Sequence, residues 1–166
     1  LKLSRGLGDV YKRQILGGLK QNNPADVMRG EETQIRGFLS VFSNFDGIIC
    51  LPGTHTKWVQ VSAGEVISFC TFMSGELFAL MSEYSVLKHS VNSDGWNYQE
   101  FNSAVSESIS NPQKLFSDFF KLRADDLLNK VEKSVLRSKL SGYIIGTELA
   151  GAKPYWLGQN LSLIHI

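Results

Sequence analysis

Two carboxylates at the foot of a helix, and a turn rich in hydroxyls, carry the chemistry this sequence could perform. Glu31 and Glu32 directly follow Gly30 and precede Ile35, Phe38, Leu39 and Phe42, whose i, i+3, i+4, i+7 spacing predicts one apolar helix face. The helix dipole favours acids in a first turn, which alone would account for both. Beside a phosphoryl group, such a carboxylate could also take the proton of an attacking hydroxyl. Further on, Pro52-Gly53-Thr54-His55-Thr56-Lys57 separates the apolar run Ile48-Ile49-Cys50-Leu51 from the alternating run Trp58-Val59-Gln60-Val61. Pro-Gly between two such runs is ordinary hairpin punctuation. The same turn can cradle phosphate oxygens, because successive backbone N–H groups converge on an anion without side-chain charge. A third candidate is Ser74-Gly75-Glu76, where Ser74 is expected to cap a helix whose start could hold an anionic group.

Other chemistries find no support. No GxxxxGK[ST] phosphate loop is present, and no GxGxxG follows a strand. His55, His89 and His165 are scattered and none has a metal-ligand partner at i+4. Adjacent helix positions point in different directions, so Glu31 and Glu32 do not form a glycosidase pair.

The elements that must position these groups come from a chain of 166 residues with a formal net charge of +1. That charge gives no reason to expect a nucleic acid or an anionic membrane surface as partner, and no apolar run approaches the ~20 residues of a membrane helix. Cys50 and Cys70 lie in apolar runs and read as buried thiols of a reducing compartment, the cytosol by default. Residues 1–14 show neither helical nor strand period, and 161–166 stop without a cap or turn; the two look like a non-native leader and tail, leaving 15–160 as an internal piece of a longer protein. Within it, 15–23 reads as the end of an element and a loop. A three-stranded antiparallel meander is expected over 47–71, followed by a helix with Leu77, Leu80, Met81 and Tyr84 as its stripe. A helix over 96–110 comes next, and Asn111-Pro112 restarts another with Leu115, Phe116, Phe119 and Phe120 buried. Asp125 and Asp126 are expected to open a further helix with Leu127, Leu128, Val131, Val135 and Leu136 inward and Lys130, Lys133, Arg137 and Lys139 in water. The small residues of 140–149 permit close helix packing, and Tyr155-Trp156-Leu157-Gly158 reads as a short strand entering a glycine turn.

Residues 26–34 (DVMRGEETQ), 50–59 (CLPGTHTKWV) and 72–80 (FMSGELFAL) resemble the 2-dehydro-3-deoxygalactonokinase family, with further likeness over 140–148 and at Trp156-Leu157-Gly158. The likeness implies an α/β fold: a partial ribonuclease-H-like domain of the actin/hexokinase ATPase type, its three-strand meander packed by helices. Residues 15–160 would then span the interdomain helix and second ATPase-like domain. It further implies transfer of phosphate from ATP, with Mg2+, to the terminal 6-hydroxyl of 2-dehydro-3-deoxy-D-galactonate in galactonate breakdown. On that analogy Glu31 or Glu32 is the base, and Gly53, Thr54, His55, Thr56 and Lys57 bind the cofactor. Arg29 and Lys57 would neutralise substrate or phosphoryl charge, and Ser74 and Glu76 would join Arg29 in binding substrate. No residue is implied as a protein ligand to metal. The family's amino-terminal half, with the Asp-x-Gly-Thr hairpin that would carry magnesium, is absent, as is most of the nucleotide edge beyond Gly158. The chain alone is therefore expected to have little activity. Two other readings fit the same residues: a kinase for another sugar acid or a ketose, and a non-catalytic sugar-acid-binding module. No motif sets an oligomeric state.

Overall fold

A computed structural model describes residues 17–164. The expected leader, 1–14, lies outside the described residues, as do His165 and Ile166. In chain order the elements are β1 (Leu19–Asn22), β2 (Ala25–Met28), α1 (Glu31–Val41), β3 (Gly47–Leu51), β4 (Thr56–Ser62) and β5 (Glu65–Phe72). They continue as α2 (Ser74–Ala79), which runs on into one π-helical turn (Leu80–Tyr84), then α3 (Lys88–Val91), α4 (Tyr98–Ser110) and a 3-10 turn (Pro112–Lys114). The last are α5 (Leu115–Asn129), α6 (Lys133–Gly151), α7 (Lys153–Trp156) and β6 (Leu161–Leu163). The chain is thus a mixed α/β protein, and it divides into two compact units.

The sheet unit takes the described residues up to Pro52, with Lys57–Thr71 and those from Gly158 onward. Its sheet has the order β5-β4-β3-β6. The expected meander is present: β3 and β4 are antiparallel, with Ile49 opposite Val59 and Leu51 opposite Lys57. Strand β6 lies parallel on the other side of β3, with Ile48 opposite Leu161 and Cys50 opposite Leu163. The Leu161-Ser162-Leu163 segment therefore has the alternation of a strand, entered through a turn at Gly158, whose φ is +72°. Gly47 has φ +149°, and a Cβ there would stand 2.2 Å from the Asn160 carbonyl oxygen, the atom that accepts from Ile48 N at 2.8 Å. Glycine is required at that seam on both grounds. Met28, Ile35, Ile49, Leu51, Val59, Val61 and Phe69 form the core of this unit. Phe42, expected on the buried face of α1, is instead the exposed residue that ends it, packed on Phe38 with ring centroids 4.7 Å apart.

The helical unit takes Gly53–Thr56 and Phe72–Leu157, so apart from the turn before β4 its sequence falls between β5 and β6 of the other unit's sheet. Here α4 and α6 meet through small residues, as the composition of 140–149 suggests. A Cβ on Gly142 would lie 2.6 Å from Phe101 O, and one on Gly146 would lie 2.5 Å from Val105 O. Leu87, Val91, Phe119, Leu122, Leu136, Leu140 and Ile144 fill the core around this contact.

Several helix assignments change. No helix opens at Asp125; α5 runs through to Asn129 and stops where Lys130 adopts a left-handed conformation, φ +54°. The acids do not break it because Asp126 is held in place: Ser90 Oγ donates to its Oδ2 at 2.7 Å and Arg123 Nη1 at 2.9 Å. Phe116, Phe120, Leu127 and Leu128 are exposed, and so are Leu80 and Tyr84. Asp118 is instead buried, its Oδ1 accepting from Lys121 Nζ at 2.6 Å. The expected strand at 155–158 is α7, because Pro154 falls in its first turn, where a missing N–H costs nothing.

The Ser90 hydrogen bond holds the Asp126 carboxyl below the usual carboxylate range, with the nearby charges of Arg123 and Lys133 acting in the same direction. A lowered folded-state pKa adds stability above the unfolded value and loses it as pH falls through the folded one. Thermal stability should therefore fall in acid below the ordinary aspartate range. Circular-dichroism melts of Asp126→Asn should show a shallower acid decline than those of the unmodified chain.

Candidate active site

Around the two glutamates, the local backbone decides the geometry. Gly30 caps α1 with φ +121°, a conformation that L side chains rarely adopt. This sharp turn places both acids in the first helical turn, as expected, and folds their carboxylates back on the chain. Arg29 N donates to Glu31 Oε2 at 3.1 Å, and Gly30 N donates to Glu32 Oε2 at 2.6 Å. The Glu32 bond is the tighter of the two and pins the glycine turn. Arg29 itself is exposed beside them.

The hairpin after β3 leaves Pro52, Gly53, Thr54 and His55 exposed, while Thr56 and Lys57 are buried at the start of β4. Lys57 does not turn outward. Its ammonium donates to Val27 O at 3.1 Å and to Thr71 Oγ1 at 2.8 Å. Thr71 in turn donates through Oγ1 to Asp26 Oδ1 at 2.6 Å and through its N–H to Asp26 Oδ2 at 2.8 Å. This network fastens the β1–β2 hairpin to β5, so the geometry gives Lys57 and Asp26 a scaffolding role. An Asp-Val-Met run ahead of the helix was the available signal for Asp26, but nothing local to it points to a threonine 45 residues away.

Within the helical unit, the exposed tip meets the start of α2. Glu76 N donates to Thr54 O at 3.0 Å, and the Glu76 carboxylate lies 2.5 Å from His55 Nε2. Ser74 is buried and is the first residue of α2; Met73 occupies the cap position and no side chain caps it. Ser74 also lines a cleft of about 180 Å³ together with Phe72, Leu77, Ile144, Thr147 and Glu148. The last two were not singled out by the sequence. The site residues thus fall into two groups: Arg29, Glu31, Glu32 and Lys57 in the sheet unit, and Gly53, Thr54, His55, Thr56, Ser74 and Glu76 in the helical unit.

Neither cysteine is poised for nucleophilic work. Cys50 is buried, and burial followed by the Asp26 charge pushes the half-buried Cys70 thiol above its ordinary pKa. Among the described residues no three His, Cys, Asp or Glu side chains cluster as a metal cage. No helix among the described residues is long and apolar enough to cross a membrane.

Comparison with known proteins gives a consistent set of relatives. The family model for 2-keto-3-deoxy-galactonokinase matches residues 2–165. DgoK1 of Rhizobium meliloti (strain 1021), assigned as a 2-dehydro-3-deoxygalactonokinase, is 39% identical over 144 residues, which is 84% of this chain and 47% of that protein. The 2-dehydro-3-deoxygalactonokinase of Escherichia coli (strain K12) is 30% identical over 135 residues, 81% of this chain and 45% of that one. A crystal structure of a candidate 2-dehydro-3-deoxygalactonokinase from Sinorhizobium meliloti superposes with a TM-score of 0.82 at 32% identity, covering 89% of this chain and 59% of that chain. The chain spans about half the length of the curated relatives it matches.

Proposed function

The chain belongs to the 2-keto-3-deoxy-galactonokinase family, and from that premise we propose that it is part of a kinase that moves the γ-phosphoryl group of ATP to the terminal 6-hydroxyl of 2-dehydro-3-deoxy-D-galactonate. The observation that carries this reading is the exposed Gly53-Thr54-His55 tip, built onto the start of α2. Such a tip offers backbone N–H groups, a Thr hydroxyl and an imidazole to phosphate oxygens. The sheet supports a ribonuclease-H-like reading: an antiparallel meander β5-β4-β3 gains a parallel fourth strand only after the intervening helices. In that reading α1 corresponds to the interdomain helix, and the chain from β3 onward belongs to the second ATPase-like domain.

We assign the general base to Glu31. Glu32 is tied to Gly30 N by the shorter bond and fixes the glycine turn, whereas the longer Glu31 bond is the easier one to exchange for a substrate hydroxyl. In the reaction Glu31 accepts the hydroxyl proton, that oxygen forms a bond to the γ-phosphorus, the bond to the β-bridging oxygen breaks, and ADP leaves. Arg29, exposed at the same turn, offsets the negative charge of the sugar acid. Magnesium, when bound with the nucleotide, neutralises phosphate charge.

The test is ADP release in a coupled assay with ATP, magnesium and 2-dehydro-3-deoxy-D-galactonate. A family-length frame containing this segment should turn over, and a panel of other sugar acids and ketoses should be slower. The present chain should release no ADP above background, because phosphoryl transfer depends on positioning that a partial site does not supply. Substrate binding without ADP release by the family-length protein would make it a sugar-acid-binding module instead.

A further inference from the structure

On the family analogy Ser74 and Glu76 are substrate-binding, yet the contacts of Gly75 and Glu76 point at the turn. A Cβ on Gly75 would stand 2.4 Å from the Gly53 carbonyl oxygen and 2.8 Å from the Thr54 Cα. Only glycine lets the helix start come this close. The next residue then makes two bonds to the tip, Glu76 N to Thr54 O at 3.0 Å and the Glu76 carboxylate to His55 Nε2 at 2.5 Å. Gly75 and Glu76 therefore engage three successive residues of the turn.

We propose that Glu76 is a positioning residue for phosphate recognition: it aims the His55 imidazole at the nucleotide, and Gly75 makes room for it to do so. This rests on the reading of the Gly53–His55 tip as a phosphate cradle. Both ligands of the proposed reaction are anions, and a bare carboxylate would repel either one. Bonded to His55, the carboxylate becomes an internal support. Stability does not explain the pair, because its side chains are 45% and 38% exposed and ion pairs that open to water add little. What the pair fixes is the ring. A carboxylate accepts and does not donate, so Nε2 carries the hydrogen; on a neutral ring Nδ1 is then an acceptor, and the ring recognises a phosphate oxygen only in the form that carries a hydrogen on both nitrogens. On a protonated ring Nδ1–H is a second donor, held in a set direction by Glu76.

The experiment titrates ADP into the 15N-labelled chain and follows the tip amides and the His55 ring nitrogens by NMR. In the unmodified chain, ADP should shift the Gly53, Thr54 and His55 amides, and in the complex both His55 ring nitrogens should carry hydrogens. Glu76→Ala should weaken ADP about tenfold, the scale of one charge-assisted hydrogen bond, and scramble the ring-nitrogen signature. Glu76→Gln still accepts from Nε2–H and should recover most of the affinity, which a purely structural role does not require. His55→Gln should match the Glu76→Ala loss, and combining the two should add nothing further. Equal ADP affinity for Glu76→Ala and the parent, with the amide spectrum preserved, would overturn the proposal and leave the phosphate turn standing. Additive losses in the double variant would overturn it too. An unmodified chain whose tip does not respond to ADP removes the phosphate-cradle reading and this proposal with it.

Discussion

Glu31→Gln in a family-length enzyme is expected to lower kcat by about 10²–10⁴-fold, the usual contribution of a positioned general base, with little change in sugar-acid affinity. Glutamine keeps the shape of the side chain and can still accept from Arg29 N, so the turn at Gly30 survives. What it loses is the ability to take a proton. Glu32→Gln should behave differently. Its carboxylate accepts from Gly30 N at 2.6 Å, and exchanging that charged acceptor for a neutral one weakens the bond that holds the glycine turn. The expected outcome is a stability loss of about 1 kcal/mol with kcat within a few-fold of the parent. Steady-state kinetics, calorimetric substrate binding and a thermal melt on both variants separate the two roles. A collapse of kcat in Glu32→Gln with Glu31→Gln spared would exchange them.

The second large effect concerns stability. Gly146→Ala should destabilise the helical unit by about 1–2 kcal/mol and lower its melting temperature by several degrees. In an exposed helix the same change would help, because alanine is the better helix former by about 1 kcal/mol. Here the new methyl would lie 2.5 Å from Val105 O, 2.7 Å from Ser108 Cβ and 3.0 Å from Val105 Cα. Two of those atoms are backbone, so α4 as a whole must move away from α6. Gly37→Ala is the matched control: it lies within α1 with nothing inside 4 Å of a built Cβ, and it should raise stability. Melts of the two variants should move in opposite directions. A Gly146→Ala protein as stable as its parent would mean that α4 and α6 are less closely packed than these distances require.

What could be read from the sequence, and what could not, divides along a physical line. Short-range patterns transferred well. The Leu51 to Trp58 hairpin, the strand alternation of 65–71 and the acids in the first turn of α1 depend on neighbours a few residues apart. The small residues of 140–149 also announced close packing, though not their partner helix. Patterns that depend on distant partners misled. Asp125 and Asp126 look like a helix start until Ser90 is known to hold Asp126. Phe116 and Phe120 share a plausible stripe with Phe119, yet the core takes Phe119 and Leu122 while the other two face out. Lys57 illustrates the same limit at the candidate site. A lysine in a phosphate-like turn invites a ligand-binding role, and only the fold reveals that Val27 and Thr71 have taken its ammonium. Gly75 is the converse case: the sequence places it in a candidate helix start, and only the fold shows that its missing Cβ lets the turn be supported.

The order of strands also governs how the chain comes off the ribosome. Strand β3 is made early, but the neighbour that covers its second edge, β6, is made only after the whole helical unit. At ordinary synthesis rates β6 appears roughly 5 to 20 s later, since roughly a hundred residues intervene. Throughout that interval Ile48-Ile49-Cys50-Leu51 presents an apolar edge with open backbone donors and acceptors, the kind of surface that recruits other chains. The helices between β5 and β6 therefore act as a clock. Their length sets how long β3 waits before β6 is there to pair with it.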